Sequence, residues 1–308
     1  MILLLLALTL GSIFIFQQYL NLKKTYFNPL ITDNGRVNFL ILGINGDGGL
    51  DKDLTDTIIF ASLNTETKKV GLISIPRDIW VEEIKAKINT AYHYGGTDLA
   101  KETTENILGQ PIHYFGIVNF NSFGQIIDYL GGVEVDVETA FDDFKYPVFG
   151  KENDLCEGDK ELSCRYEHLH FEAGKQIMDG AMALKFSRSR NSESDEGTDF
   201  ARSNRQQKVI LAIKNKVASK DFYLQPKRVL GLLELTQKEI ITNVKPEIYG
   251  SLAKLGWEIN KNQSGISMTA LNGNLLVHPV SHYSKQWVLV PKDNGWEEIH
   301  KFIQKLLE

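Results

Sequence analysis

The amino-acid sequence predicts an α/β fold built on a mixed β-sheet, and three observations carry that expectation. Short apolar runs of strand length interleave with amphipathic stretches of helical period, the pattern that lays helices on a sheet. Two of the runs, Thr57 to Leu63 and Val70 to Ile75, are joined by Asn64-Thr-Glu-Thr-Lys-Lys69, whose hairpin-turn chemistry makes one strand pair antiparallel. The 308 residues, 43% of them hydrophobic, suffice for one large core or two modest ones. A net charge of −5 argues against the broad basic face of a protein that coats nucleic acid, so any basic residues that matter must be concentrated locally.

Met1 to Phe16 is almost entirely apolar, and Lys23 and Lys24 follow it. It reads as one N-terminal transmembrane helix, slightly short of the ~20 residues a span needs. No small-residue cleavage pattern follows, so a retained anchor is expected over a removed signal peptide. The nearby positive side chains lie after the span, which by the positive-inside rule would favour a cytoplasmic body. The chain then divides into an anchor at residues 1–20, a polar linker at 21–35 and one domain at 36–308.

Val37 to Ile44 is an unbroken apolar run and so a candidate central strand covered on both faces. Asn45-Gly-Asp-Gly-Gly49 follows it, a flexible loop without the P-loop lysine or the dinucleotide spacing, so an ordinary turn is the plain reading. Asp56 enters the first hairpin strand, and Arg77-Asp78 leaves the second after Pro76 has stopped its pairing. Strand ends are where α/β proteins place chemistry, and a surface salt bridge is the competing reading for this pair. Leu99 to Leu108 reads as a helix after Asp98 and before Gly109. Phe115 to Val118 is a strand, Phe123 to Leu130 a helix capped by Ser122, and Val133 to Val137 another strand. From Phe141 to Glu172 the periodicity fails, and a long ordered loop or lid is expected. Beyond Pro226, helices are expected at Val229 to Ile241 and Ile248 to Trp257, a short strand at Trp287 to Val290, and a final amphipathic helix at Trp296 to Leu307.

Arginines sit on faces that would otherwise be apolar. In Leu184-Lys-Phe-Ser-Arg-Ser-Arg190, read as a strand after a helical turn at Asp179 to Leu184, Leu184, Phe186, Arg188 and Arg190 share one side. Phe200 to Val217 reads as a helix whose core stripe of Val209, Ile210, Ile213 and Val217 runs back to Gln206 and Arg202 at its N-terminus, where the dipole favours an anion. Two elements running from apolar to arginine describe a greasy pocket with a cationic mouth, suited to an amphiphile with a phosphate head. The competing reading pairs Arg188, Arg190, Arg202 and Arg205 with Glu193, Asp195, Glu196 and Asp199. Cys156 and Cys164 are open to three readings: a disulfide, zinc ligation together with His168 and His170, or free thiols.

Several motifs in order, Leu54-Thr-Asp-Thr57, Ser74-Ile-Pro-Arg-Asp78, Lys87-Ile-Asn-Thr-Ala-Tyr-His-Tyr-Gly-Gly96, Ile127-Asp-Tyr-Leu-Gly-Gly-Val133, Met178-Asp-Gly180 and Arg188-Ser-Arg190 with Asp199, Arg202 and Arg205-Gln-Gln207, make Val37 to Val217 resemble the LytR-CpsA-Psr family of membrane-anchored cell-envelope proteins. The resemblance implies a three-layer α/β/α domain, its central mixed β-sheet enclosing a hydrophobic lipid tunnel, held outside the cytoplasm by a single pass through the cell membrane. It further implies a phosphotransferase that moves a phosphoglycan from a polyprenyl (undecaprenyl) pyrophosphate carrier to peptidoglycan or another envelope acceptor, with Mg2+ as cofactor. By motif match, Arg77, Lys87, Arg188, Arg190, Arg202, Arg205 and Gln206 would bind the pyrophosphate, Asp56 would hold the metal, and Asp56, Arg77, Asp78 and Arg202 would form the catalytic set. Where the family usually has Asp-x-Arg after the first strand, this chain has Asn45-Gly-Asp47. Asp47 is the expected replacement ligand, and a non-enzymatic module that binds polyprenyl phosphate or regulates the envelope is the alternative function. Transcriptional attenuation finds no helix-turn-helix signal to support it.

Overall fold

The computed structural model describes residues 25–46, 52–151, 153–262, 265–293 and 295–308. The apolar segment Met1 to Phe16 and Asp47 lie outside the described residues. Among the described residues no helix is long and apolar enough to cross a membrane.

Strands β1 (Arg36–Ile44), β2 (Thr55–Asn64) and β3 (Val70–Ser74) form an antiparallel meander, with Phe39 opposite Ala61 and Ala61 opposite Leu72. The expected hairpin turn is the connection between β2 and β3. Two short strands, β4 (Trp80–Val81) and β5 (Ala86–Lys87), precede helix α1 (Ala91–Leu108). This helix begins well before Leu99, with a kink at Gly95 and Gly96; Gly96 has φ +62, which only glycine adopts without strain. Strand β6 (Tyr114–Asn119) lies parallel to β1 and leads into α2 (Phe120–Tyr129). Asn119, and not Ser122, caps α2: its side chain accepts from the Ser122 amide at 2.8 Å.

The stretch expected as a loop or lid is a hairpin. Its strands are β8 (Phe141–Pro147) and β9 (Tyr166–Phe171), set between β7 (Val133–Val137) and that strand's partner β10 (Gly174–Met178). Within its connection Cys156 and Cys164 form a disulfide with Cα atoms 5.5 Å apart, which excludes both the zinc and the free-thiol readings.

The strand expected at Leu184 to Arg190 is instead helix α3 (Gly180–Arg188), capped by Asp179, whose side chain accepts from the Met182 amide at 2.8 Å. A run of Ala, Met, Leu and Lys after an N-cap aspartate favours helix, and Ala183, Phe186 and Ser187 bury one helical face; the two-residue spacing over so short a window was coincidental. Gly180 packs against α2 backbone to backbone, since a Cβ there would stand 2.2 Å from the Gly124 carbonyl oxygen.

Helices α4 (Asp199–Val217), α5 (Lys220–Tyr223) and α6 (Pro226–Glu239) follow, then β11 (Ile241–Thr242) and α7 (Tyr249–Lys261). Strand β12 (Ile266–Ala270), unread in the sequence, pairs parallel with β3 at the edge of the sheet. The chain finishes with β13 (Leu276–Val277), β14 (Val290–Pro291) and α8 (Glu297–Leu307). The central mixed sheet is ordered β11-β6-β1-β2-β3-β12.

Alternation along β1 builds the layers. Leu40, Leu42 and Ile44 join Phe60 and Ile73 in a core covered by Ile107 of α1 and Ile303 of α8. Val37, Phe39 and Ile41 belong to the opposite face, with Ala61 and Leu72, under Ile210 of α4 and Leu255 and Ile259 of α7. A third core, under the β8–β9 hairpin, holds Phe141, Phe171 and Phe186 in mutual ring contact.

Candidate functional site

An apolar cavity of about 320 Å³ lies on the α4 face of the sheet. Ile41 and Ile59 form its floor, Phe123 and Ile126 of α2 one wall, and Val209 and Ile213 of α4 another. Helix α6 closes its side with Leu232 and Thr236. No residue of α6 is fully buried, as expected of a helix laid over a hollow instead of into a core.

Thr57, Phe120, Arg188 and Gln206 line this cavity and also a smaller one of about 100 Å³, whose other walls are Asp56, Arg77, Arg190, Arg202, Tyr146 and Pro147. The greasy interior therefore opens directly into a cluster of four arginines. Each comes from a different support. Arg77 follows Pro76 past the end of β3, and Asn89 and Thr55 brace that turn: the Asn89 amide donates to the Arg77 carbonyl at 3.2 Å, and the Thr55 hydroxyl to the Asn89 carbonyl at 3.2 Å. Arg188 ends α3, its guanidinium 4.0 Å from the centre of the Phe120 ring. Arg202 is in the first turns of α4, after the Thr198 cap, 2.8 Å from the Asp199 carboxylate.

Arg190 sits on the segment leaving α3, which is gripped from both sides. The fully buried Asp143 of β8 accepts from the Ser189 hydroxyl at 2.7 Å and from the Arg190 and Asn191 amides at 3.1 and 3.2 Å. From the other side Arg205 donates to the carbonyls of Ser189 at 2.5 Å and Phe186 at 3.0 Å, and pairs with Glu196 at 2.5 Å. This corrects one expectation: Arg205 lines none of these cavities, because its donors are committed to the backbone that carries Arg188 and Arg190. Sequence reading missed Asp143, Tyr146 and Phe120. An aspartate alternating in phase with Phe141 on one strand face was the available signal for Asp143.

Electrostatics leave the mouth short of negative charge. Burial lowers the Arg202 pKa, and Arg77 and Arg190 push it further down against the opposing pull of Asp199. For Arg77, burial is outweighed by Asp56 and Asp78, so its pKa is raised. Arg77 donates to Asp56, and its Nε is 3.6 Å from Asp78. Lys87 lines none of these cavities; it pairs with Asp78 at 2.7 Å. Asp78 itself faces a third cavity, of about 220 Å³, which shares Asp56, Arg77, Arg202 and Gln206 with the arginine mouth. The structure thus brings Asp56, Arg77, Arg188, Arg190, Arg202 and Gln206 around one hollow, with Asp78 next door.

Magnesium is commonly held by one or two carboxylates together with phosphate oxygens of the ligand. Asp56, at the mouth and within the arginine cluster, fits that donor set. Among the described residues the grouping of three metal-capable side chains is elsewhere, at Asp154, Cys156 and Cys164, where both sulfurs are in the disulfide.

The LytR_cpsA_psr family model matches residues 16–301. The chain belongs to this family. Among curated members, the polyisoprenyl-teichoic acid–peptidoglycan teichoic acid transferase TagU of Bacillus subtilis (strain 168) is 34% identical over 201 residues, 64% of this chain and 57% of that protein. The enzyme of the same name from Bacillus anthracis (strain CDC 684 / NRRL 3495) is 30% identical over 236 residues, 75% of this chain and 68% of that one. The chain thus spans less than two thirds of the length of the B. subtilis relative. The crystal structure of B. subtilis TagU superposes with a TM-score of 0.60 at 25% identity, covering 89% of this chain and 98% of that one. B. subtilis TagV, at 24% identity and TM-score 0.64 over 90% of this chain and 98% of that one, shows the same LytR_cpsA_psr fold.

Proposed function

We propose that this protein is a phosphotransferase that moves a phosphoglycan from a polyprenyl pyrophosphate carrier to peptidoglycan or a related envelope acceptor. The observation that carries the reading is the continuity, through Arg188 and Gln206, of an apolar cavity with a four-arginine mouth. A polyprenyl chain suits the first and a pyrophosphate the second, since arginine forks bind phosphate oxygens bidentately. In the reaction an acceptor hydroxyl attacks the glycan-side phosphorus, the bridging P–O bond breaks, and polyprenyl phosphate leaves. The hydroxyl proton passes to a carboxylate of the site. Phosphoryl transfer needs positioning and charge neutralisation more than covalent help, which is what the arginines offer. Mg2+ bound at Asp56 would add positive charge at the transferring group. The names of the curated relatives support the same donor and acceptor classes.

The disulfide between Cys156 and Cys164 supports a body outside the cytoplasm, where thiols are oxidised, with the apolar N-terminal segment as its membrane anchor. Asn45, in place of the family's usual aspartate, favours a second reading: a module that binds polyprenyl phosphate without transferring. Incubating the protein with a lipid-linked glycan and cell-wall fragments, with and without magnesium, tests both. Glycan appearing on the wall with release of polyprenyl phosphate is expected; tight lipid binding with no transfer would decide for the second.

A further inference from the structure

The third cavity adjoins the arginine mouth and is built differently from the apolar one. Its near wall is Asp56, Arg77, Asp78 and Arg202; its far wall, Asn272 and Trp287, comes from a region outside every motif quoted above. The two walls are tied together. Strands β3 and β12 are parallel neighbours, so the Arg77 turn and the Asn272 loop leave the sheet at the same carboxyl edge, where α/β proteins place ligand crevices. The Leu271 amide donates to the Ser74 carbonyl at 3.0 Å. The Leu289 amide donates to the Asp78 carbonyl at 2.9 Å, and the Trp80 amide to the Leu289 carbonyl at 2.8 Å, so Trp287 is two residues from a ladder anchored on Asp78.

The lining combines aromatic surface with carboxylates. Trp287 is 50% and Phe200 53% exposed, so each has ring surface open to a ligand. The Trp287 ring stacks on His278 at 5.1 Å, and His278 is hydrogen-bonded at 2.9 Å to the Val288 carbonyl. The same cavity is lined by Asp78, Asp199 and Asn272, whose amide oxygen accepts from the Asn274 amide at 3.0 Å. Apolar ring faces flanked by hydroxyl-binding groups match a pyranose, which presents C–H on its faces and O–H around its rim. At about 220 Å³ the space is below the roughly 300 Å³ of a drug-sized pocket, which suits one ring and not an oligosaccharide.

We infer that this cavity is a sugar-ring subsite, with Trp287 and Phe200 as its apolar faces and Asn272 as a hydroxyl ligand. The inference rests on the proposed function and deepens it. The ring is either the first sugar of the donor or the acceptor residue; both present the same chemistry.

The test uses the full-length protein and its Trp287→Ala, Trp287→Phe and Asn272→Ala variants. One arm measures affinity for a polyprenyl pyrophosphate with and without a single hexose; the other measures KM for soluble peptidoglycan fragments in the transfer assay. Trp287→Ala is expected to reduce, by about tenfold, either the preference for the hexose-bearing lipid or the apparent affinity for the acceptor, with Trp287→Phe recovering much of it. Asn272→Ala should move the same arm. A loss in the first arm assigns the ring to the donor, and a loss in the second to the acceptor. If neither arm moves while the wild type binds glycan-free polyprenyl pyrophosphate, the subsite is wrong and the proposed function stands. A wild type that binds no polyprenyl pyrophosphate overturns the proposed function and this inference with it.

Discussion

Arg77 and Asp56 meet across the ends of two antiparallel neighbours: Arg77 lies just past the end of β3, Asp56 at the start of β2, and the guanidinium donates to the carboxylate. The pair holds the arginine over the mouth. If Arg77 and Arg202 bind one pyrophosphate from their two separate supports, Arg77→Ala or Arg202→Ala should each weaken polyprenyl pyrophosphate binding. Loss of one charge-assisted contact is worth about 1.5–3 kcal/mol, on the order of tenfold to a hundredfold in affinity, measurable by titration with the lipid. An unchanged affinity in both variants would remove the arginines from the site.

Asp56→Asn should behave differently. An amide oxygen in place of the carboxylate can still accept from Arg77, so lipid binding is expected to be largely retained, while transfer falls because the carboxylate proposed to hold Mg2+ is gone. Asn45→Asp should preserve or strengthen the magnesium dependence. Transfer by Asp56→Asn at the wild-type rate would show that the carboxylate has no part in the reaction.

Arg205 is predicted to matter for stability first. It is 2% exposed, pairs with Glu196, and places its guanidinium 4.8 Å from the Phe141 ring centre. Arg205→Met removes its bonds to the Ser189 and Phe186 carbonyls and leaves the partly exposed Glu196 without its partner, so it should lower the denaturation midpoint. The milder Asp143→Asn keeps the shape but weakens the hold on the Arg190 backbone. It should raise KM for the lipid-linked donor with a smaller loss of stability. An Asp143→Asn variant with wild-type KM would show that Arg190 does not depend on that grip.

On the hairpin, Asp142 accepts from His168 at 2.7 Å and from His170 at 2.8 Å, and His170 also faces Glu172 at 3.2 Å. These bonds, Asp142 first, raise the His170 pKa above 6.5, and the two histidines lower that of Asp142 below 3.8. The His170 contribution is full below 6.5 and is lost as pH rises through its raised value. The Asp142 contribution is full above 3.8 and is lost as pH falls through its lowered one. The hairpin should therefore hold best between these ordinary values. In an NMR titration, Asp142→Asn should bring the His170 midpoint down toward 6.5; a midpoint that does not move would disprove the pairing.

The meander β1 to β3 was legible because three apolar runs are bounded by turn chemistry, and the final helix because its amphipathic period is strong. Arg202 and Gln206 were likewise placed together by one helix face, whereas Arg77, read at a strand end, joined them only through the family resemblance; the structure puts all three around one hollow. The approach to Arg188 and Arg190 was right in destination and wrong in route. Their register was read on a strand, whereas a helix end delivers Arg188 and an extended segment held by Asp143 delivers Arg190. The hairpin from Phe141 was illegible because the inward position after Phe141 is an aspartate, buried only because Ser189 and two backbone amides satisfy it. Strand β12 was missed because an edge strand with an exposed middle carries little hydrophobic pattern.

The register of that edge strand sets a condition on assembly. Ile266 pairs with Val70 and Ala270 with Ser74, so the sheet's last strand is recruited from a part of the chain very distant from its neighbour. Such non-local parallel pairing carries a high contact order and closes late, after the local meander can already form. The Arg77 turn can thus exist early, but the part of the cavity wall holding Asn272 comes into being only when β12 docks. A half-folded chain would present Arg77 without that wall. The rate of β12 docking, read by hydrogen exchange at its amides, would then set how soon after synthesis a molecule becomes competent.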